Sequence, residues 1–180
     1  MFLSDLDIKK ALDSGDITIE NFDETRLQVA SYDVLLGNKF VVTDTYSTQV
    51  VDPARKIFPK THELIIPDDG EFVLHPGVSV LGEVADFVGS KKDFLIQISG
   101  KSSLARIGLI VHNTAGIINP GHYLNIVLEL CNLSAVPIIL RPRMEIAQLL
   151  FSKLTSSPSK SYEEVGRYHE NNWDSFKTKE

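Results

Sequence analysis

The sequence contains only one cysteine, Cys131, in 180 residues. A single cysteine cannot form an intramolecular disulfide, and it also excludes zinc sites built from several thiolates. Basic residues are in deficit as well, since 18 lysines and arginines stand against 24 aspartates and glutamates, which gives a net charge of −6. Because nucleic-acid-binding proteins usually carry a basic surplus, we expect no DNA or RNA partner.

Long hydrophobic runs are also missing. The longest apolar runs are far shorter than the roughly 20 residues that a membrane-spanning helix needs. The N-terminal segment MFLSDLDIKK carries acidic residues where a secretory signal requires a basic start and an apolar stretch. We therefore expect a cytoplasmic protein with no membrane partner. The histidines show no ligand spacing such as HExxH, so we expect no protein-bound metal and no zinc.

The order of apolar and turn-forming residues predicts one short helix followed mainly by strands. Ser4 is a suitable N-cap for that helix, and Gly15 is a suitable stop. From Lys39 onwards, short apolar runs alternate with turns that contain Pro, Gly or Asn, a pattern typical of an all-β barrel or sandwich. The length favours a single domain over residues 1–180, with a polar C-terminal arm from about residue 152.

The segment GKSSLAR, residues 100–106, is the first candidate for chemistry. A predicted strand ends just before it, and a short helical stretch follows. Its glycine, two serines and two cations offer backbone N–H groups, hydroxyls and positive charge together, which suits phosphate oxygens. A capped helix with solvated surface cations also explains these residues, and the spacing is not that of a Walker A loop. The residues alone leave both interpretations open.

Glu129 is the second candidate. Strand alternation in LNIVLELC places Ile126 and Leu128 on one face and Val127 and Glu129 on the other. A carboxylate between apolar neighbours is either solvated on an open sheet face or held in a pocket. In a pocket, burial raises the pKa of a carboxyl towards the range that general acid–base catalysis requires. Both interpretations remain open from the residues alone.

The third candidate is the polar, glycine-containing segment HNTAGIINPG, residues 112–121. A turn of this composition can present backbone amides to the edge of a flat ring. A long hairpin connection would have the same composition, so this segment is not specific by itself.

Taken together, these segments resemble the dCTP deaminase family of the trimeric dUTPase-like superfamily. The resemblance covers most of the chain. It begins with the helix SDLDIKKAL and continues through QVASYDVLLGNKF and LHPG. Its strongest part is GKSSLARIGLIVHNTAGIINPG followed by IVLELCNLSAVPIILRPRMEIAQLLF. Each fragment is weak alone, but their joint order and spacing are specific.

The resemblance implies a mainly β subunit with a distorted, jelly-roll-like β-barrel of the dUTPase type. A short N-terminal helix and a mobile C-terminal arm belong to this fold. The resemblance also implies a homotrimer with active sites between subunits, and Mg²⁺ bound through the triphosphate of dCTP or dUTP. The zinc deaminases, whose metal activates the attacking water, form a different class.

The implied activity is the hydrolytic deamination of dCTP to dUTP and ammonia. Glu129 would be the general acid and base that moves protons between the attacking water, N3 of cytosine and the leaving ammonia. By the same resemblance, Ser102 would help to hold the water or the phosphate. Arg106 would orient Glu129 or stabilise the developing charge.

The resemblance also implies a set of residues that contact the substrate. The backbone at Thr114 and Ala115 would contact the base, and an amide at Asn119 would contact the sugar. The other implied contacts come from the GKSSLAR turn and from the C-terminal arm: Lys101, Ser103, Tyr162, Tyr168 and Asn171.

Two features leave the product open. Asn119 stands where relatives often have an aspartate that, in the dUTPase branch, activates the water that splits the triphosphate. Because an amide is a poor base, Asn119 favours dUTP as the product. Gly116, in the sequence Thr-Ala-Gly, instead resembles the bifunctional enzymes that convert dCTP directly to dUMP and pyrophosphate. This bifunctional reaction is the main alternative, and a non-catalytic nucleotide-binding relative is another.

Overall fold

The computed structural model describes residues 1–91 and 93–166. This part of the chain contains three short α-helices, α1 to α3, one short 3-10 helix (Glu24–Arg26) and eleven strands, β1 to β11. The helices are α1 (Asp5–Asp13), α2 (Ser102–Ala105) and α3 (Tyr162–Val165). The strands are β1 (Ile17–Ile19), β2 (Tyr32–Thr43), β3 (Thr61–Ile65), β4 (Phe72–Leu74), β5 (Ser79–Ser90), β6 (Phe94–Gly100), β7 (Leu109–Ile110), β8 (Ile117–Ile118), β9 (Tyr123–Asn132), β10 (Ile138–Leu140) and β11 (Glu145–Lys153).

Nine of these strands form one antiparallel sheet. Its main path runs β7-β9-β5-β2-β11-β6-β8, while β1 pairs with β5 and β3 pairs with β2. The remaining two strands, β4 and β10, pair with each other. Register shifts interrupt the pairing of β2 with β5, of β5 with β9 and of β11 with β2. Such irregularities increase the local twist, which helps a long sheet to curl around its core.

Helix α1 forms where the sequence predicts it. The Ser4 side chain accepts a hydrogen bond from the backbone N–H of Asp7, which satisfies one of the free donors of the first turn. Ile8 and Ala11 are buried against the sheet. The helix ends before Gly15, whose φ of +67° lies in the left-handed region that glycine adopts without strain.

The alternation predicted for β9 is confirmed. Ile126, Leu128 and Leu130 are buried in the core, whereas Val127 and Glu129 are only partly buried on the opposite face. Strand β5 alternates in the same way and pairs with β9, so the two strands share one partly open outer face. This outer face supplies one wall of the candidate site.

A buried ion pair, which the sequence does not predict, ties the segment before β2 to β5. Two guanidinium nitrogens of Arg26 lie 2.9 and 3.0 Å from the two carboxylate oxygens of Asp86. Asp86 also accepts the backbone N–H of Leu35 at 3.0 Å. Burial favours the neutral form of Arg26, but the hydrogen bonds and charge of Asp86 outweigh it and raise the pKa of Arg26.

Within residues 1–91 and 93–166, no helix is both long enough and apolar enough to cross a membrane. Strand β11 ends at Lys153, close to the predicted start of the C-terminal arm, and α3 follows it. The boundaries of a single domain over residues 1–180 stay a prediction.

Candidate active site

A cavity of about 500 Å³ opens on the outer face shared by β5 and β9. The wall is mainly apolar, with side chains such as Leu81, Ile118 and Val127. The polar or sequence-predicted residues described in the wall are Thr43, Ser79, Ala115, Asn119, His122, Asn125, Glu129 and Tyr162. Four of these, namely Ala115, Asn119, Glu129 and Tyr162, belong to the sequence-predicted site.

Glu129 is held in this wall by the backbone of a neighbouring loop. Its side chain leaves the outer face of β9, and the N–H of Asn113 donates a hydrogen bond to Glu129 Oε2 at 3.1 Å. Leu81 is its pairing partner on β5. The carboxylate therefore has one fixed protein partner, and its remaining acceptor positions are available to a ligand or water.

The loop that holds Glu129 is itself tightly fixed. Gly116 O accepts the N–H of Ile98 at 2.8 Å. A Cβ at Gly116 would lie 3.1 Å from Ile98 O and 3.2 Å from a ring carbon of His112, so a larger residue here would require these neighbours to shift by a few tenths of an ångström. Thr114 has a φ of +69°, an outlying conformation for a β-branched residue. Such conformations persist only where the surroundings impose them, and they concentrate at functional sites.

The GKSSLAR turn lies elsewhere on the molecule. Ser102, Ser103 and Arg106 are exposed on or directly after α2, and they are not among the described residues that line the cavity. Thr114 is also exposed and outside that wall, although its neighbour Ala115 lines it. The described part of the chain therefore does not bring Ser102 and Arg106 to the cavity that contains Glu129.

Lys101 makes two internal ion pairs. Its ammonium lies 2.5 Å from Asp33 Oδ2 and 2.6 Å from Glu145 Oε2. Asp33 is almost fully buried and also accepts the side-chain amide of Gln28 at 3.1 Å. Burial alone would lower the pKa of Lys101, but the hydrogen bonds to the two carboxylates raise it overall. These contacts fix the position at which β6 passes into α2.

The structure adds His122 to the cavity wall, a residue for which the sequence analysis predicts no role. Both of its ring nitrogens are buried, and neither has a hydrogen-bond partner in the described chain. Burial lowers the pKa of His122 to about 4, so the ring is neutral near pH 7. The signal available in the sequence was its position, three residues after Asn119 and directly before β9.

The root of the predicted arm docks beside His122. The N–H of Tyr162 donates to Pro120 O at 3.0 Å, and the Tyr162 ring centroid lies 5.1 Å from that of His122. Ser161 and Glu164 form a capping box at the start of α3. Tyr168 and Asn171, also predicted to contact the nucleotide, lie outside the described residues.

Residues 1–91 and 93–166 contain no group of three His, Cys, Asp or Glu side chains arranged to hold a metal ion. Glu129 is the one carboxylate among the described residues of the cavity wall. A magnesium ion in this cavity would therefore take most of its oxygen ligands from a bound triphosphate and from water, which is how Mg²⁺ commonly binds with nucleotides.

A family model described as dCTP deaminase-like matches residues 2–154. The chain belongs to this family. A Halobacterium salinarum protein named dCTP deaminase, dUMP-forming, is 41% identical over 166 residues, which are 90% of this chain and 85% of that protein. A Beutenbergia cavernae protein of the same name is 40% identical over 162 residues, covering 90% of this chain and 84% of that protein. The chain is an enzyme of the dCTP deaminase kind.

Comparison with solved structures confirms the fold. The 2′-deoxycytidine 5′-triphosphate deaminase from Agrobacterium tumefaciens matches 83% of this chain with a TM-score of 0.63 and 21% sequence identity. The chain spans 46% of the length of that deaminase. The mainly β, barrel-like fold with a short N-terminal helix, expected from the sequence, is therefore confirmed, and so is the family. The roles of individual site residues stay predictions.

Proposed function

We propose that the enzyme converts dCTP to dUMP, ammonia and pyrophosphate, with Glu129 as the general acid and base of the deamination. The observation that carries this proposal is the Glu129 carboxylate, held by the Asn113 N–H at 3.1 Å in the cavity wall. Relatives of about 40% identity that are named dUMP-forming support dUMP, rather than dUTP, as the end product.

The deamination needs no redox partner. A water oxygen bonds to C4 of cytosine while Glu129 accepts a proton from that water. Glu129 then passes the proton to N3, and the tetrahedral intermediate forms. The remaining proton of the attacking water, now part of a hydroxyl on C4, is then transferred to the amino group. The C4–N4 bond breaks, and ammonia leaves. One positioned carboxylate can act in both directions because it is the base in the first transfer and the acid in the next.

The second step separates the phosphates. A water attacks the α-phosphorus and releases its proton to solvent, the bond from that phosphorus to the bridging oxygen breaks, and pyrophosphate leaves. Magnesium, when bound through the triphosphate, neutralises part of the charge on the phosphates. In this proposal Asn119 holds the sugar by a hydrogen bond and is not the base for this water, because a neutral amide does not accept a proton at neutral pH.

The size and shape of the cavity suit a nucleoside. Its volume of about 500 Å³ falls within the range of roughly 300–1,000 Å³ typical of small-molecule sites. Its apolar walls suit a flat pyrimidine ring, and the backbone around Ala115, which lines the cavity, would contact the ring edge. Thr114 would contribute through its backbone alone, since its side chain is exposed.

The charge of the cavity supports a site shared between subunits. No lysine or arginine is among its described lining residues, yet a triphosphate requires cations or strong donors. Ser102, Ser103 and Arg106 offer these groups on an exposed turn that does not reach the cavity of its own subunit. We therefore propose a homotrimer in which this turn completes the cavity of a neighbour.

Lys101 has a double role in this proposal. Its ion pairs with Asp33 and Glu145 position the turn that carries Ser102 and Arg106. Glu145 is exposed enough to exchange its lysine contact for water, so the ammonium can also face a phosphate. Tyr162, and Tyr168 and Asn171 beyond the described residues, would cover the bound nucleotide. The cytoplasmic location stays a prediction.

Release of dUTP as the end product is a second candidate, and Asn119 is the observation that favours it. Asn119 lines the cavity. By the resemblance, it stands where relatives often have the aspartate that activates the water for triphosphate cleavage. The two candidates share the deamination and differ in the second step.

A product assay tests both candidates. The enzyme is incubated with dCTP and magnesium, nucleotides are separated by anion exchange, and ammonia and pyrophosphate are measured in parallel. We expect ammonia and dUMP in equal amounts with little free dUTP. Accumulation of dUTP would instead establish the second candidate, and Asn119→Asp should then shift the product towards dUMP. Tight dCTP binding without ammonia release would refute both.

A further inference from the structure

The cavity continues past Glu129 to a pair of hydroxyl side chains. Ser79, at the start of β5, and Thr43, at the end of β2, line the same cavity as Glu129. Ser79 is exposed and Thr43 is partly exposed, so a water molecule can reach both side chains. No described residue forms a hydrogen bond with either hydroxyl. The deamination proposed for this site does not yet use either residue.

The strand register places Ser79 beside Glu129. Across β5 and β9, Leu81 pairs with Glu129 and Ser79 pairs with Cys131. Ser79 and Glu129 are therefore diagonal neighbours on the outer face, about 7–8 Å apart along the backbone and less between their Cβ atoms. Glu83 is the other diagonal neighbour of Glu129 on β5, but it is not among the described residues of the cavity wall. The cavity thus joins Glu129 to Ser79 and not to Glu83.

Thr43 extends this row of side chains by one strand. Val41 pairs with Leu81, and the alternation along β2 puts Thr43 on the same face as Val41. Continuing the antiparallel pairing by two residues places Thr43 opposite Ser79. Asn119 precedes the first residue of β9, whereas Ser79 lies opposite the end of that strand. The two hydroxyls therefore lie together at the end of the cavity away from Asn119.

A hydroxyl supplies what an attacking water needs beside a carboxylate. The water gives one proton to Glu129, and its second hydrogen needs an acceptor so that a lone pair of its oxygen points at C4. A serine hydroxyl can accept that hydrogen bond and still donate its own. The N–H of Asn113, which bonds Glu129 Oε2, cannot serve in this way because it only donates. Two hydrogen bonds of about 2.8 Å each let one water join oxygens up to about 5.5 Å apart, which suits diagonal neighbours.

We propose that the Ser79 hydroxyl, supported by Thr43, holds the water that attacks C4 and orients it beside Glu129. This inference rests on the proposed function. No covalent bond forms to Ser79, since the water oxygen bonds to C4, the first proton goes to Glu129 and Ser79 Oγ keeps its own proton. Loss of the hydroxyl should therefore slow the chemical step and leave dCTP binding unchanged.

The kinetics of matched variants test this role. We measure kcat and KM for dCTP by ammonia release. In Ser79→Ala, kcat should fall about tenfold with KM within about twofold of the wild type, because a misplaced nucleophile reacts slowly after normal binding. Ser79→Thr keeps the hydroxyl at an exposed position and should retain most of kcat. Thr43→Val, which removes the supporting hydroxyl only, should lower kcat by about threefold. Ser152→Ala, on β11 and outside the described cavity wall, is the control and should keep its kcat.

Three results would overturn the inference. One is a wild-type kcat in Ser79→Ala. Another is an equal loss of kcat in Ser79→Ala and Ser79→Thr, because the shape of the side chain would then matter and not its hydroxyl. The third is a raised KM with unchanged kcat in Ser79→Ala, because the hydroxyl would then contact the substrate in the ground state. Thermal melting of each variant beside the wild type shows that it is folded before rates are compared.

Ammonia release by the wild type separates this inference from the proposed function. If the wild type deaminates dCTP and Ser79→Ala does so at the same rate, the inference fails and the proposed function stands. If the wild type releases no ammonia, the proposed function fails, and the inference fails with it because no water then attacks C4.

Discussion

The ammonium of Lys101 lies 2.5 Å from the nearly buried carboxylate of Asp33, and this contact ties the start of the GKSSLAR turn to β2. Glu145, at the start of β11, accepts the same ammonium at 2.6 Å. Strands β2 and β11 are neighbours in the sheet, so the turn is fixed from two adjacent strands. In the proposed trimer, the position of this turn would decide how Ser102 and Arg106 meet a neighbouring cavity.

Breaking this pair should be costly because Asp33 cannot regain full hydration. We expect Lys101→Met to lower the free energy of unfolding by about 2 kcal/mol, below the range for a fully buried pair because Lys101 remains partly accessible. Asp33→Asn should have a similar effect. The double variant should lose less than the sum of the single losses, by about 1–2 kcal/mol. Urea unfolding of all four proteins measures this coupling.

An exposed pair provides the control for this cycle. Lys91 and Asp16 also form an ion pair, at 3.1 Å, but Lys91 is exposed and Asp16 is more exposed than Asp33. Removing its carboxylate with Asp16→Asn should change stability by less than about 1 kcal/mol. Additive effects of the Lys101 and Asp33 substitutions would contradict the role assigned to their contact.

Glu129→Gln should nearly abolish deamination. The glutamine oxygen can still accept the Asn113 N–H, but the side chain cannot carry a proton between water and N3. We expect kcat to fall by at least about 10³-fold, within the range for general acid–base catalysis, with little change in dCTP affinity. Ammonia release measures the first quantity, and calorimetry measures the second. The control is Glu83→Gln, also on the outer face of β5 and β9 but not among the described cavity residues. Turnover by Glu129→Gln at a rate near the wild type would refute the proton-transfer role.

Mixed trimers test whether the site is shared. Arg106→Ala and Glu129→Gln should each be inactive alone. When the two variants are co-expressed, some shared sites combine intact Arg106 from one subunit with intact Glu129 from its neighbour. Those sites should be active. Random mixing in equal amounts places both intact residues at about a quarter of the contacts, so about a quarter of wild-type activity is expected. Activity no greater than that of the separate variants would show that both residues serve one subunit.

Gly116→Ala should lower activity through the loop that holds Glu129. The added Cβ would lie 3.1 Å from Ile98 O, a backbone atom that cannot move aside easily. Displacement of the loop would shift the Asn113 N–H away from Glu129, and small displacements of this kind can reduce kcat by about tenfold or more. In Gly100→Ala, the added Cβ would meet only Val111 Cγ2, at 3.4 Å, so this variant should keep its kcat. Steady-state kinetics of the two variants gives the comparison.

Local patterns predicted local structure well. The N-cap at Ser4 and the alternation around Glu129 follow from the residues alone, because each depends on neighbours within a few positions. Arg26 and Asp86 are 60 positions apart, and Lys101 and Asp33 are 68 apart. Such pairs form only after strand order and register are set, so periodicity carries no signal for them.

The candidate site shows the same division. The sequence singled out Glu129 as a strand carboxylate but could not decide between open solvent and a pocket, since the cavity is closed by residues from β5, β9 and the root of the arm. It drew attention to Ser102 and Arg106, and the resemblance implied active sites between subunits, but the residues alone did not indicate that these two lie apart from Glu129 within one chain. It assigned nothing to His122, because the absence of hydrogen-bond partners is a property of three-dimensional packing alone.

His122 should make stability depend on pH in a defined window. The folded-state pKa of His122 is about 4, below its ordinary value of 6.5, so between these values the unfolded chain binds the proton and the folded protein does not. Stability should therefore be fully present above about pH 6.5 and decline as the pH falls towards 4, on the order of 2 kcal/mol after allowance for the partly exposed ring. In His122→Phe this part of the decline should disappear, because nothing at position 122 titrates, while carboxylates shared by both proteins contribute equally to each curve. His62→Phe makes the same chemical change at an exposed position of β3 and should leave the decline as it is in the wild type. Urea unfolding of the three proteins at half-unit pH intervals measures the difference, and parallel curves for wild type and His122→Phe would contradict a buried, neutral ring.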